Sequence, residues 1–420
     1  MEKKNKKELI AIIIGVIIIV ALIAGFTITY INSKTKDSTV AESSNASSKA
    51  SSSNSSKSKT NNGKTITDGG SYEISGNSES ITINTNDDVE LVLKDAEITS
   101  EDGPAINVES AGTVSIVLSG TNKISSTTTE DLDGAIYSKA DLVLSGDGSL
   151  EIESNYDGIV SKDTLVIENG TYVISTDDDG IRGKDSVEIK DGTFTINAGG
   201  DGIKASNDAD TSLGYVTISG GTFDITAKSD GIQAITKATI TGGTFNITSA
   251  EGIEGTYIKI DDGTINIEAS DDGINASNKS TVSTPTVEIN GGDITIKMGQ
   301  GDTDAIDANG NIYINGGNVN ITANSAFDFD GTAEHNGGTL IINGTETDAI
   351  TNSMMGGGNM KGGMRENAEG EMNGEMEGKM KGEMREFPNG ERPEMRPGDA
   401  SQKPQSPNEE SEPNERNESV

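Results

Sequence analysis

One acidic position recurs through the middle of this chain, each time followed by a small residue and then an isoleucine. It reads Asp157-Gly158-Ile159, Asp179-Gly180-Ile181, Asp201-Gly202-Ile203, Asp230-Gly231-Ile232, Glu251-Gly252-Ile253, Asp272-Gly273-Ile274, Asp304-Ala305-Ile306 and Asp348-Ala349-Ile350. Looser copies stand at Asp102-Gly103, Asp133-Gly134 and Ser325-Ala326-Phe327. If equivalent residues stack at the strand spacing of about 4.8 Å, these carboxylates form a column. Two neighbours at that separation repel by roughly 1 kcal/mol in water and about 3.5 kcal/mol at an effective dielectric of 20. A hard cation between rungs relieves the repulsion, and carboxylate oxygens can close on Ca²⁺ at about 2.4 Å. Further acids flank the column at Asp177, Asp178, Asp271, Glu254, Asp307 and Asp328. Oxygen ligands of this kind select Ca²⁺ over zinc or copper. The plainer reading is that Asp-Gly is a turn dipeptide whose carboxylate accepts backbone N–H bonds.

Two cations border the column. Arg182 and Lys204 follow adjacent Asp-Gly-Ile triplets at the same repeat position. A lysine whose pKa is lowered beside a bound cation can act as a general base. Ion pairs to Asp179 and Asp201 explain the same two residues more simply. Tyr156, Tyr215, Tyr257 and Tyr313 fall at outward or corner positions, and Tyr215 and Tyr257 are candidates for stacking on sugars. The chain has no Cys and a single histidine, His335, which excludes thiolate metal sites, Cys nucleophiles and multi-His centres.

The elements that must carry the column are short strands. A second landmark lies between the acidic triplets, as in Asp191-Gly192-Thr193-Phe194-Thr195-Ile196 and Gly220-Gly221-Thr222-Phe223-Asp224-Ile225. A brief alternation such as Val187-Glu188-Ile189 precedes each such turn. Period-two alternation marks strands with one face inward, and Gly, Asn and Asp supply positive φ at the corners. The repeat is 21–22 residues, lengthened by insertions near 206–214 and 276–286. No sustained helical period interrupts it, so leucine-rich and ankyrin solenoids are excluded, and a propeller blade would need about 40 residues. The pattern predicts a single-stranded parallel β-helix of about eleven coils. The series Tyr172, Phe194, Phe223 and Phe245, continued by Ile265 and Ile294, is expected as an internal ladder.

Composition divides the chain into five parts. Residues 1–8 are basic, and 9–31 form an apolar run long enough to span a bilayer as an uncleaved signal-anchor. The preceding Lys3, Lys4, Lys6 and Lys7 place the N-terminus in the cytoplasm and the bulk outside the cell membrane. Residues 32–64 are a Ser-rich spacer, and 352–420 a Met-, Gly-, Glu- and Pro-rich tail, both too polar to fold alone. Between them, 65–351 holds 49 acidic against 13 basic residues, and the whole chain carries a net charge of −36. That charge excludes nucleic acid as a partner, because phosphates are repelled.

The Asp-Gly-Ile and Gly-Gly-Thr-Phe-x-Ile coils, the Ile203-Lys204-Ala205-Ser206-Asn207-Asp208 loop and the Met/Gly/Glu tail resemble the carbohydrate-binding β-helix family of clostridial-type bacterial surface proteins. The resemblance covers about 65–360. It implies a right-handed parallel β-helix similar to pectate lyases, Ca²⁺ as cofactor, and binding of cellulose-like or acidic polysaccharides without established catalysis. The expected function is calcium-dependent polysaccharide binding at the cell surface, with Asp157, Asp179, Asp201, Asp230, Glu251, Asp272, Asp178, Asp271, Glu254, Asp304 and Asp307 as metal ligands. Lys204, Arg182, Tyr215 and Tyr257 are expected on the glycan. The alternatives are a calcium-dependent polysaccharide lyase using Lys204 and Arg182, and a structural surface rod or adhesin. The absence of Trp weighs against flat platforms for neutral glucans.

Overall fold

A computed structural model describes residues 59–60, 65–129, 131–300 and 303–352. Residues 1–31, most of the spacer and the tail from residue 353 lie outside these, so the anchor and tail readings do too. Among the described residues no helix is long and apolar enough to cross a membrane.

The described chain is a parallel β-helix with three strands per coil. One face is a twelve-stranded parallel sheet, running from Thr65–Ile66 to Ser325–Phe329 through Asp157–Ser161, Ile181–Gly183, Ile203–Ala205, Asp230–Ala234, Glu251–Gly255, Ile274–Ala276 and Asp304–Ala308. The other two faces join into one 24-stranded sheet. They merge because the long strand Val89–Ser100 pairs with both Thr113–Ser119 and Thr121–Ser126. At the start, Lys59–Thr60 pairs with Gly70–Ser78.

Strands of the 24-stranded sheet alternate buried and exposed residues, as in Thr193–Ala198 and Thr222–Ala227, whereas Asp157–Ser161 and Ile274–Ala276 of the twelve-stranded sheet are buried throughout. Inward residues meet their own kind on the next rung, so the core is a set of ladders. Ile136, Ile159, Ile181, Ile203, Ile232, Ile253, Ile274, Ile306 and Phe327 form one, all fully buried. The aromatic ladder is inside as expected, with Tyr172, Phe194, Phe223 and Phe245 stacked at centroid separations of 5.0, 4.7 and 4.6 Å. Each buried isoleucine contributes roughly 1.5–3 kcal/mol relative to exposure.

The two glycine positions of the repeat do different work. Gly192, Gly221 and Gly243 turn the corner with φ between +105° and +136°. The glycine of the Asp-Gly-Ile triplet is there for space instead. A Cβ on Gly180 would stand 2.6 Å from Ile196 Cγ2 and 2.7 Å from the Gly202 carbonyl.

Three of the repeat copies are not rungs, the first being Asp102, since Pro104 holds its register position. Gly134, and not Asp133, pairs with Asp157, since one extra residue separates Asp133 from its isoleucine. Asp348 belongs to no coil. The chain turns back before it in an antiparallel hairpin of Thr339–Ile342 with Thr345–Glu346, which adds a reversed edge to the 24-stranded sheet, and Asp348 is fully exposed.

Candidate functional site

The register of the twelve-stranded sheet builds two adjacent columns. Asp157, Asp179, Asp201, Asp230, Glu251, Asp272 and Asp304 hold one repeat position, with Asp230 directly paired to Glu251 and Asp304 to Ser325. Three residues further along each coil, Val160, Arg182, Lys204, Gln233, Glu254, Asn275, Asp307 and Asp328 hold the other. The second column therefore changes sign along the stack, from cations through amides to carboxylates.

The aspartates of the first column also hold the backbone. Asp157 Oδ1 accepts the N–H of Asp179 at 2.9 Å, Asp179 Oδ1 that of Asp201 at 2.8 Å, and Asp201 Oδ1 that of Asp230 at 2.9 Å. Asp272 Oδ1 accepts the N–H of Asp304 at 3.1 Å. The run stops at Glu251, whose N–H goes to the Ser229 carbonyl. Asp157, Asp179 and Asp201 thus each spend one oxygen on the chain and turn the other to the second column.

In the first half, those second oxygens meet cations. Arg182 donates from Nε to Asp157 Oδ2 at 2.7 Å, from Nη2 to both Asp133 and Asp157, and lies 3.5 Å from Asp179 Oδ2. Lys204 Nζ sits 2.7 Å from Asp201 Oδ2 and 3.2 Å from Asp179 Oδ2. Burial alone would lower the Lys204 amine, but Asp179 and Asp201 outweigh it and hold the amine well above its ordinary value. Burial pushes Asp157 up to about 7, against Arg182 and with Asp179 adding to the rise. For Asp133, burial is outweighed by Arg182 and then Lys162, and its pKa is lowered.

In the second half, carboxylates meet one another. Asp230, Glu251 and Glu254 bring one oxygen each within 4.8 Å of the others. The Gln233 amide donates to Asp230 and to Glu254 Oε2, Ser277 Oγ to Glu254 Oε1 at 2.9 Å, and Asn275 Nδ2 to Glu251 Oε2 at 3.0 Å. Lys279 is the one cation that pairs with this group among the described residues, 2.6 Å from Glu254 Oε2. Burial, the hydrogen bond to Glu254 and the charge of Asp201 push Asp230 well up. Burial, then Glu254, raises Glu251 to about 7. Burial with the neighbouring aspartates raises Asp272 to about 6 and Asp307 to about 7.

These differences decide where a cation fits. Asp157, Asp178 and Asp179 also place oxygens within 4.8 Å of one another, but Arg182 already occupies that group and Asp178 is exposed. Among the described residues, the Asp230, Glu251 and Glu254 group is compensated by Lys279 alone, and the buried Oδ1 of the adjacent Asn275 has no hydrogen-bond partner. Three hard carboxylate donors and an amide oxygen suit Ca²⁺. Asp271 is exposed beside Asp272, and Asp304 and Asp307 lie two coils beyond Glu251 and Glu254.

The two tyrosines belong to a different face. Tyr215 and Tyr257 flank Lys237 in one register column of the 24-stranded sheet, apart from Arg182 and Lys204.

The family described as carbohydrate-binding domain-containing protein matches residues 60–257 and again 249–356. The chain belongs to this family. No curated protein matches it in sequence. Among solved structures, the polysaccharide lyase-like protein from C. thermocellum, as a gadolinium derivative, is similar at 24% identity with a TM-score of 0.41, over 64% of this chain and 90% of that one.

Sequence reasoning passed over Gln233, Asn275, Lys279 and Lys237. The signal for the first two was available: they stand at the position of Arg182 and Lys204, two residues after the Gly of each triplet. Lys279 sits in an insertion, where no repeat position announces it.

Proposed function

We propose that this protein is a membrane-anchored, calcium-dependent polysaccharide-binding protein of the cell surface, acting on acidic or cellulose-like glycans. Membership of the carbohydrate-binding family supports the glycan. The observation that carries the calcium dependence is the group of Asp230, Glu251 and Glu254, gathered with a single lysine and an unpartnered amide oxygen beside it. Held by these residues, Ca²⁺ would offer its remaining positions to carboxylate or hydroxyl oxygens of a sugar, and would offset a net charge of −36 that otherwise repels an acidic glycan. Anchoring rests on the apolar run at 9–31 and the lysines before it.

The same geometry speaks against a lyase. A base must lose its proton, and Lys204 is held charged by Asp179 and Asp201. Arg182 is tied to three carboxylates.

The test is a glycan array with the full chain in detergent, with calcium and with chelator, alongside Asp230→Asn/Glu251→Gln. The expected result is polysaccharide binding that chelator and the double variant both weaken. Equal binding in chelator would refute calcium dependence, and a calcium-dependent ultraviolet absorbance rise on polyuronate would make the protein a lyase.

A further inference from the structure

The two insertions that lengthen the repeat stand on either side of a cleft of about 320 Å³. Its floor is the column Tyr215, Lys237 and Tyr257, stacked in register on three successive coils. Ser212 comes from one insertion, Val282 and Ser283 from the other. The phenols are tied in opposite directions. Tyr215 donates to Glu188 Oε1 of the preceding coil at 3.1 Å, and Tyr257 to Glu288 of the following one. The two rings are therefore held two rungs apart, about 10 Å at the backbone, with Lys237 between them.

Three features of this cleft go beyond packing. The floor lysine is exposed and has no carboxylate within ion-pair distance among the described residues, its Nζ lying 5.4 Å from the Tyr257 ring centroid. Val282 is half exposed at the rim, and the buried Ser283 Oγ has no hydrogen-bond partner. The lining contains one cation and no carboxylate, in a folded segment with 49 acidic residues. Fixed aromatic rings and a cation are the parts that hold a sugar ring bearing a negative group.

We propose that this cleft is a calcium-independent subsite for one anionic pyranose of a polysaccharide. The apolar face of the ring lies against Tyr215 or Tyr257, and its negative group on Lys237 Nζ. The inference rests on the glycan-binding reading above and adds a second place, a charge class and a different ion requirement. It also gives an acidic sugar a foothold on an acidic protein without a bridging cation.

Calorimetry of the full chain in detergent and chelator, with trigalacturonate and its neutral methyl ester as probes, tests it. The acid is expected to bind and the ester about tenfold more weakly, the worth of one charge-assisted hydrogen bond. Lys237→Gln should erase the preference for the acid. Tyr215→Ala/Tyr257→Ala should weaken both probes about tenfold or more, while Tyr215→Phe/Tyr257→Phe, which keeps the rings, should bind both. Should the double alanine variant unfold, Lys237→Gln and the phenylalanine pair still decide the matter. Equal affinity for acid and ester, a preference that survives Lys237→Gln, or binding only with calcium overturns the subsite. If the array detects glycan binding while these variants are indistinguishable from the parent, the subsite falls and the general reading stands. If no glycan binds under any condition, both fall.

Discussion

The two halves of the acidic column are built from the same repeat and reach opposite electrostatic states. From Asp157 to Asp201, each carboxylate faces Arg182 or Lys204, and the network is closed. From Asp230 onward the neighbouring position is Gln233, Glu254, Asn275 and Asp307, and the carboxylates face one another. The first half is tied into the rod as structure. The second holds charge that an external cation can relieve. A change of residue type at one position, Lys204 to Gln233, separates a salt-bridge ladder from a candidate metal site.

The largest effect is expected from opening the closed half. Arg182 is 17% exposed and Asp157 1%, so Arg182→Met leaves the buried Asp157 without its cation, while Asp133 keeps Lys162 and Asp179 keeps Lys204. Loss of one member of a buried pair costs about 3–5 kcal/mol, measurable as a lower urea midpoint. Asp157→Asn in the same chain should recover part of it. A midpoint unchanged by Arg182→Met would mean that water, and not the arginine, carries these charges.

A pH series sharpens the comparison next. Glu251 and Asp307 are raised to about 7 in the folded chain, above the ordinary carboxylate range. The folded state therefore binds more protons than the unfolded one in that window, and stability is full at acid pH and lost as pH rises from about 4 through about 7. In chelator the melting temperature should fall across that interval. Calcium needs the ionised carboxylates, so its stabilising increment should grow over the same interval and offset the fall. Gln233→Lys, which extends the cation column by one rung, should flatten the chelator curve and shrink the calcium increment. A melting temperature in chelator that rises from pH 4 to 7 would contradict the assignment.

The smallest effect concerns Lys279. Lys279 is a quarter exposed, and the buried Glu254 keeps Gln233 and Ser277 as donors, so Lys279→Ala should cost about 1 kcal/mol, less than Arg182→Met. Removing that competing cation should tighten calcium binding a few-fold in calorimetry. Weaker calcium binding would show that the lysine positions Glu254 instead of competing for it.

The repeat was legible in the sequence because a stacked coil imposes the same demands on every turn. Period-two alternation, a positive-φ glycine at each corner and an isoleucine at a constant offset require only local geometry and burial, and they yielded the coil length, the aromatic ladder and the acidic column from Asp157 to Asp304. Three copies misled. Asp102 and Asp133 are out of register, and Asp348 lies past the closing hairpin. A triplet of letters does not encode register or the end of a stack. Tertiary structure alone decided which carboxylates are paired. Arg182 reaches Asp133, 49 residues back, and Lys279 leaves its insertion to meet Glu254. It alone brought two insertions about 70 residues apart to the sides of Tyr215, Lys237 and Tyr257. Charge compensation and clefts depend on the directions of long side chains and loops across coils, and those directions are set only when the coils are stacked.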